Sequence, residues 1–456
     1  MLKRALIKGV MIYGMSRMEK ERLKVLVIAE AANPDWTSVP LIGWSHAAAL
    51  RSVCDAHLVT QIRNRRAILN QGWKEGVDFT AIDSERLNRP IYRFSLFLRG
   101  GDKSAWTIST ALGSLVYPYF EYLCWKAFKA RLVAGDFDVV HRITPVSPTA
   151  PSYLAKKLRK INVPFVVGPL NGGVAWPPQF RDVQHKEKEW LSYIRSIYRW
   201  LPGYRSLLKN CSAIISGSSA TFNQLPKRIR HKQFFVAENA IDPKRFSLTH
   251  ERAYGLPLKG AFVGRLVTYK GADMALEALE PLLKSGKIKF DIYGDGPERA
   301  NLEAVVDTLG LSGYVTIHGF VDHAELQNEL IKADILIFPS IREFGGGVVL
   351  ESMALGVVPI VVDYAGPAEL VTDEVGYLIA MGDRESIIVN LRANLSVICA
   401  DPEQLEVRRR AGIAKVNECY TWARKAEKSK EIYLWTTGRG PKPKYQRPPT
   451  QDNGQA

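Results

Sequence analysis

Cysteine is scarce in this 456-residue chain, with five residues at positions 54, 124, 211, 399 and 419. The number is odd and no Cys-x-x-Cys spacing occurs, which argues against a disulfide framework or a zinc site and predicts free thiols in a reducing compartment. A secretory leader is not expected either. The stretch from Arg4 to Met15 is interrupted by Lys8, and no small-residue cleavage site follows it. Long uninterrupted apolar runs are missing. The most apolar window, Thr107 to Trp125, contains Pro118 and Glu121 and reads as a buried helix pair or an interfacial element, not a membrane span. Acids are in deficit: 46 Asp and Glu face 62 Lys and Arg, a formal net charge of +16. That imbalance predicts attraction to polyanions, whether nucleic acid, an anionic bilayer or phosphorylated small molecules, and does not choose among them. Finally, Tyr293-Gly-Asp-Gly-Pro297 lacks the third glycine of the dinucleotide fingerprint, and no acid ends the next strand. NAD binding is discounted on that ground.

What is present is a repeated strand style. Lys24-Val-Leu-Val-Ile28, Asp138-Val-Val-His141, Pro164-Phe-Val-Val167, Ala213-Ile-Ile215 and Gln233-Phe-Phe-Val236 are short, nearly continuous apolar runs. Such runs suit parallel strands covered on both faces. Helical patterns separate them, for example Ala150 to Lys160. The style restarts after about residue 245 with runs at 259–263, 289–293, 314–317, 334–338 and 358–362. Alternating strands and helices predict an α/β protein with two doubly wound, Rossmann-like domains. The expected organisation is a basic lead-in (1–22), an N-terminal domain (23–237), a C-terminal domain (238–418), a helix near 419–437 and a disordered tail (438–456). Ligands of open α/β sheets bind outside the carboxyl ends of the strands, so two such domains face each other across a cleft.

The most informative segment is Glu343-Phe-Gly-Gly-Gly-Val-Val-Leu-Glu351. A strand precedes it and a helix is predicted from about Val348 to Leu355, stopped by Gly356. Three glycines let backbone N–H groups approach a ligand with no Cβ in the way, and a helix N-terminus favours an anion there. Glu343 is expected at the loop mouth and Glu351 deeper in the same cleft. Gly264-Arg265-Leu266 follows another strand, and Lys270-Gly271 opens the next helix. Two cations at one strand end suit a diphosphate, although a plain surface Arg and Lys would look the same. Two further glycine loops, Pro40-Leu-Ile-Gly43-Trp44-Ser45 and Gly168-Pro-Leu-Asn-Gly-Gly173, are equally compatible with ligand contact and with tight chain reversal.

Taken in order, GRLVTYKG, YGDGPE, the Pro339-Ser340 strand end, EFGGGVVLE and AGPAEL each close a predicted strand. This ordered set resembles glycosyltransferase family 4, retaining enzymes of the GT-B fold; the motifs span roughly residues 259–380. The resemblance implies that Arg265 and Lys270 hold the donor diphosphate and that Glu343 contacts the hydroxyls of the transferred sugar. It further implies that Phe344 and the amides of Gly345, Gly346, Gly347 and Val348 line the donor site and hold sugar hydroxyls and a phosphate oxygen, and that Glu351 grips the ribose. Gly264 belongs to the same donor loop, and Gly319, Phe320 and Val321 lie where the base is held. His141 matches a histidine near the reacting face, Gly43 stands in the counterpart of the family's Gly-Gly loop, and Asn171, Gly172 and Gly173 line the cleft. The helix near the C-terminus is expected to return to the N-terminal domain.

The implied partners are a nucleotide-sugar donor and a glycan or lipid-linked acceptor in surface polysaccharide or glycolipid assembly, in the cytoplasm or on the inner face of its membrane. No cofactor and no metal are expected. Asp136-Phe-Asp138 resembles a metal-binding pair but precedes its strand, at the end away from the cleft. A glycosidase dyad of Glu343 and Glu351 is disfavoured, because eight helical positions correspond to about 12 Å of rise. With no evident nucleophile or base, the departing phosphate is expected to take the acceptor proton. Aromatic and basic residues interleave over Lys186 to Lys209, which suits either an amphipathic helix on an anionic bilayer or a helix packed on its own sheet. A GT-B epimerase or hydrolase is the main alternative. A basic nucleic-acid binder ranks lower, since it leaves the glycine motifs unexplained.

Overall fold

The computed structural model describes residues 22–85, 106–172, 174–186, 202–246 and 254–445. The basic lead-in up to residue 21, Gly173, and residues 187–201 of the expected amphipathic segment lie outside the described residues.

The N-terminal lobe is built on seven parallel strands: β1 (Lys24–Ala29), β2 (Asp55–Gln61), β3 (Phe79–Ile82), β4 (Val139–Thr144), β5 (Phe165–Leu170), β6 (Ala213–Ser216) and β7 (Gln233–Phe235). Their spatial order is β3-β2-β1-β4-β5-β6-β7. The C-terminal lobe has β8 (Leu258–Val263), β9 (Ile288–Tyr293), β10 (Val315–Gly319), β11 (Ile335–Phe338), β12 (Val358–Val362) and β13 (Tyr377–Ile379) in the order β10-β9-β8-β11-β12-β13. Both are doubly wound sheets, and strand order reverses between β1 and β4 in one and between β8 and β11 in the other. The carboxyl edge beside such a reversal is where crossover loops part and leave a crevice.

The helices are α1 (Val39–Val53), α2 (Arg65–Asn70), α3 (Trp106–Val133), α4 (Leu154–Lys160), α5 (Arg181–Lys186), α6 (Pro202–Asn210) and α7 (Ser219–Gln224). In the second half follow α8 (Ala272–Lys284), α9 (Arg299–Thr308), α10 (His323–Leu330), α11 (Gly347–Ala354), α12 (Ala365–Leu370), α13 (Arg384–Ala400), α14 (Gln404–Cys419) and α15 (Trp422–Thr436). The apolar window around Pro118 is one helix, α3, with the proline inside it. No described helix is long and apolar enough to cross a membrane.

The first sheet has a separate apolar core on each face. One is closed by Phe120, Phe128, Leu154 and Leu207 from α3, α4 and α6. The other is closed by Ala47 and Leu50 of α1 together with Ala426, Ile432 and Tyr433 of α15. The helix at the end of the C-terminal half therefore packs on the N-terminal lobe. It is threaded there through the crossover: Ile241 N–H donates to Tyr420 O at 2.7 Å and Trp422 N–H donates to Ile241 O at 3.1 Å. Tyr445 lies within the expected tail and among the described residues. Its ring meets Phe234 edge-on at 6.3 Å, which buries apolar surface that a free tail would leave in water.

Candidate functional site

A cleft of about 510 Å³ opens between the lobes at the carboxyl edges of both sheets. The N-terminal lobe contributes the loop after β1, the start of α1, and Asn171 and Gly172. The crossover contributes Glu238 to Asp242, Arg245 and Phe246. The C-terminal lobe contributes His323, Glu343 to Gly345, Gly347 and Glu351, and Trp422 of α15 completes the wall. Further polar contacts join the lobes. Ser219 N–H donates to Glu369 Oε1 at 2.7 Å, Tyr364 Oη to Ala175 O at 2.9 Å, and Lys186 Nζ to Glu298 Oε1 at 2.8 Å.

The loops that flank the β8/β11 reversal carry the charges. Lys270 Nζ makes an ion pair with Glu343 Oε2 and lies 5.1 Å from the Phe338 ring centroid. Burial, with the Arg342 guanidinium nearby, lowers the Lys270 ammonium to about 7. Gly271, at φ 75°, lets this loop reach β11: a Cβ there would stand 2.5 Å from Pro339 O. Gly346, at φ 58°, caps α11, the helix that begins with the third glycine. A Cβ on Gly345 would come within 2.4 Å of Asn239 Nδ2 and 2.6 Å of Glu238 Oε2, so this glycine permits the crossover to close on the loop. Phe344 and Val348 belong to the same loop and helix start.

Glu351 faces the cleft from α11. Its Oε1 accepts a hydrogen bond from His323 Nε2 at 2.8 Å, and His323 Nδ1 accepts from Arg245 Nη2 at 2.7 Å. Arg265 is exposed on the loop after β8; its carbonyl accepts from Val267 N–H at 3.0 Å, and its side chain makes no hydrogen bond or ion pair among the described residues. Gly264 and the Gly294-Asp295-Gly296 turn form one buttress. Leu266 N–H donates to Asp295 O at 3.0 Å, and a Cβ on Gly294 would sit 1.9 Å from Gly264 O. The glycines of this turn are thus explained by close packing. Gly319, at φ 76°, gives its carbonyl to Gly294 N–H, while Phe320 is 75% exposed and Val321 is half-buried beside it.

Several expected placements are corrected. His141 does not face the cleft: it is fully buried, with Nε2 donating to Gly168 O at 2.7 Å and Nδ1 accepting from Tyr433 Oη at 2.5 Å. Burial lowers it to about 4, and its two nitrogens are taken up by α15 and by β5. Gly43 is not in a loop. It lies in α1, whose helix passes so near the end of β1 that a Cβ would meet Ala31 O at 2.0 Å. Pro40 sits in the first turn of this helix, where a missing N–H costs nothing. The true loop after β1 is 30–38, and α1 offers Leu41, Ile42, Trp44 and Ser45 to the cleft. Asn171 lines the cleft but its side chain is engaged. Nδ2 donates to Glu238 Oε2, and Oδ1 accepts from Gly172 N–H and Ser218 Oγ, each at 2.8 Å. Asp136 and Asp138 pair with Arg131 and Arg439 at the amino end of β4. No group of three or more metal-ligating side chains occurs among the described residues.

Sequence reasoning passed over Arg342, Glu238, Asn239, Arg245 and His323. Arg342 is 3% exposed, its guanidinium 4.7 Å from the Trp176 ring centroid and 5.2 Å from that of Phe344. Its signal was present: a cation two residues past the Pro339-Ser340 strand end, at the same sheet edge as Lys270.

Residues 254–396 match the family model for glycosyl transferases group 1. Among curated proteins, the chain is 29% identical to a 2-deoxystreptamine glucosyltransferase of Streptomyces kanamyceticus, over 39% of this chain and 48% of that one. It is 27% identical to a putative colanic acid biosynthesis glycosyltransferase, WcaL, of Salmonella typhimurium, over 57% of this chain and 63% of the relative. The matches thus span about half to three-fifths of these relatives' length. Among solved structures, a glycosyltransferase from Rickettsia africae superposes with a TM-score of 0.62 at 15% identity, covering 91% of this chain and 98% of that one. The sucrose-phosphate synthase of Thermosynechococcus elongatus gives 0.58 at 16%, covering 91% and 100%. Anabaena HepE in complex with UDP and glucose gives 0.56 at 14%, covering 90% and 98%. Two facing parallel-sheet lobes, a helix returning from the second to the first, and these neighbours together identify the chain's architecture as the GT-B fold, with a C-terminal lobe similar to the group 1 glycosyl transferases.

Proposed function

We propose that the protein moves a sugar from a nucleoside-diphosphate sugar to a hydroxyl of a glycan or lipid-linked acceptor, with retention at the anomeric carbon. The observation that carries this reading is the Lys270–Glu343 pair at the carboxyl edge of the second sheet, beside the strand reversal, with Glu343 lining the cleft. A buried ammonium held by a carboxylate is a cation available to a stronger anion, and a diphosphate supplies one. Arg265, exposed on the same loop, adds a second donor. The names of several relatives, which include colanic acid and amylovoran biosynthesis glycosyltransferases, support a surface polysaccharide as the acceptor class.

In the proposed step the bond from the anomeric carbon to the phosphate oxygen breaks and a bond to the acceptor oxygen forms on the same face. The acceptor proton passes to the departing phosphate, so the nucleoside diphosphate leaves protonated and no enzyme base is consumed. Lys270, Arg265 and the amides of the 345–348 loop offset the charge that grows on the leaving group. The reading needs no metal, because these cations carry that load. Incubation with a nucleotide-sugar panel and a lipid-linked acceptor, followed by mass spectrometry and NMR of the new linkage, tests it. Product that needs the acceptor, keeps the donor's anomeric configuration and survives EDTA supports it. Conversion without acceptor points instead to a GT-B epimerase or hydrolase.

A surface reading accompanies this one. Glu121, which is buried, is the only acid in α3, α4 and α6, yet these adjoining helices expose Lys126, Lys129, Lys156, Arg159, Lys160, Arg205 and Lys209. Tyr122 and Tyr153 stand out among them at 52% and 50% exposure. Cations with interspersed aromatics suit an anionic bilayer presenting a lipid-linked acceptor, in the cytoplasm at the inner membrane face. Flotation with vesicles of anionic lipid, set against neutral ones, tests it; equal partition in both removes the membrane from the proposal.

A further inference from the structure

Glu351 does not choose its own orientation. The guanidinium of Arg245 can only donate, so His323 Nδ1, at 2.7 Å, carries no proton and the ring's hydrogen sits on Nε2. That hydrogen is aimed at Glu351 Oε1, 2.8 Å away. The imidazole is thus a neutral donor of defined tautomer, wedged between a cation and a carboxylate. The Phe246 ring packs against it edge-on at 6.4 Å. Three elements meet here that are far apart in the chain: the crossover between the lobes (Arg245, Phe246), the start of α10 directly after the 319–321 loop (His323), and α11 (Glu351). Arg245, Phe246, His323 and Glu351 all line the same cleft.

We propose that His323 is a positioning residue for the donor's nucleoside. It holds the Glu351 carboxylate in one orientation toward the ribose diol, and Arg245 sets its tautomer, so the crossover and the nucleoside pocket are arranged together. The inference rests on the donor reading above and extends it to residues that reading does not use. The ring has a second effect: it keeps the Arg245 guanidinium off Glu351, where a direct ion pair would occupy the oxygens that the diol needs. Glutamine can replace it, since an amide oxygen accepts from Arg245 while the amide N–H donates to Glu351.

The test is calorimetric titration of the protein with UDP, GDP, ADP and CDP, then with the 2′-deoxyribose form of whichever binds best. Wild type is expected to favour the ribonucleotide by about tenfold or more, the size of a hydrogen bond to a charged group. His323→Ala should lose most of that preference while binding the deoxy form nearly as well as wild type. His323→Gln should recover most of it. Glu351→Gln should lose it too, and adding His323→Ala to Glu351→Gln should cost nothing more, because both act through one contact. A ribose preference unchanged in His323→Ala, or losses that add in the double variant, overturns the inference. Should His323→Ala fail to fold, Arg245→Met reads the same device: its ribose preference is expected to fall, and an unchanged one overturns the inference. If none of the four diphosphates binds wild type, the donor reading itself fails and takes this inference with it, an outcome distinct from binding without ribose discrimination.

Discussion

Lys270 offers the sharpest test of the electrostatics. In the free protein its ammonium is lowered to about 7 by burial and by the neighbouring Arg342. A diphosphate beside it would return it toward about 10, the ordinary lysine range. The sign follows from linkage. Below pH 7 the lysine is charged in both free and bound protein, so it contributes no pH dependence there. Above pH 7 the free lysine is neutral and binding must take up a proton, so affinity falls with rising pH until the bound group also titrates. Each pH unit in that window costs about 1.4 kcal/mol, or tenfold. Between pH 7 and pH 9 the dissociation constant of the best-binding nucleoside diphosphate should therefore rise by up to about a hundredfold. Calorimetry at pH 8 in two buffers of different ionisation enthalpy should report uptake of about one proton per diphosphate. Lys270→Arg should flatten the profile, because a guanidinium stays charged throughout. Zero proton uptake at pH 8, or the same slope in Lys270→Arg, would refute the reasoning.

Arg265→Ala should reduce turnover by roughly 10–100-fold with a melting temperature close to wild type, since the exposed side chain has no partner among the described residues; near-normal turnover removes it from the site. Gly345→Ala pushes a methyl against Asn239 and Glu238 and should cost about 1–3 kcal/mol of stability together with donor affinity, read by thermal melts with and without nucleotide. Gly313→Ala, with nothing near its Cβ position, is the control and should melt like wild type. Tyr433→Phe removes the hydrogen bond to His141 and should cost about 1 kcal/mol of stability while leaving nucleotide affinity unchanged; a selective loss of binding would restore His141 to the cleft.

Most strands were legible because parallel strands covered on both faces must be apolar throughout, and such runs stand out. Those that were not legible have specific reasons. β2 reads Asp-Ala-His-Leu-Val-Thr-Gln, and its polar residues after Asp55 are buried with partners: His57 bonds to Val77 O and Thr80 Oγ1, Thr60 Oγ1 donates to Glu30 O, and Gln61 accepts from Arg63 N–H. β3 and β13 have only four and three residues. The glycines show a different ambiguity. Gly43 and Gly345 both suit ligand loops in the sequence, yet at each the structure shows another part of the chain lying where a Cβ would be. A missing side chain does not say whether a ligand or a neighbouring backbone fills its place.

Taken alone, the order of residues determined the two-lobed α/β architecture and the strand ends at which charge collects. These follow from local hydrophobic patterning and from the rule that loops leave a parallel sheet at its carboxyl edge. Only the folded chain decided which side chains meet. It paired Lys270 with Glu343, joined Arg245 to Glu351 through His323, and withdrew His141 into the wall behind α15. Those contacts join segments far apart in sequence, and their geometry is set by how two sheets and a returning helix pack, which no local pattern encodes.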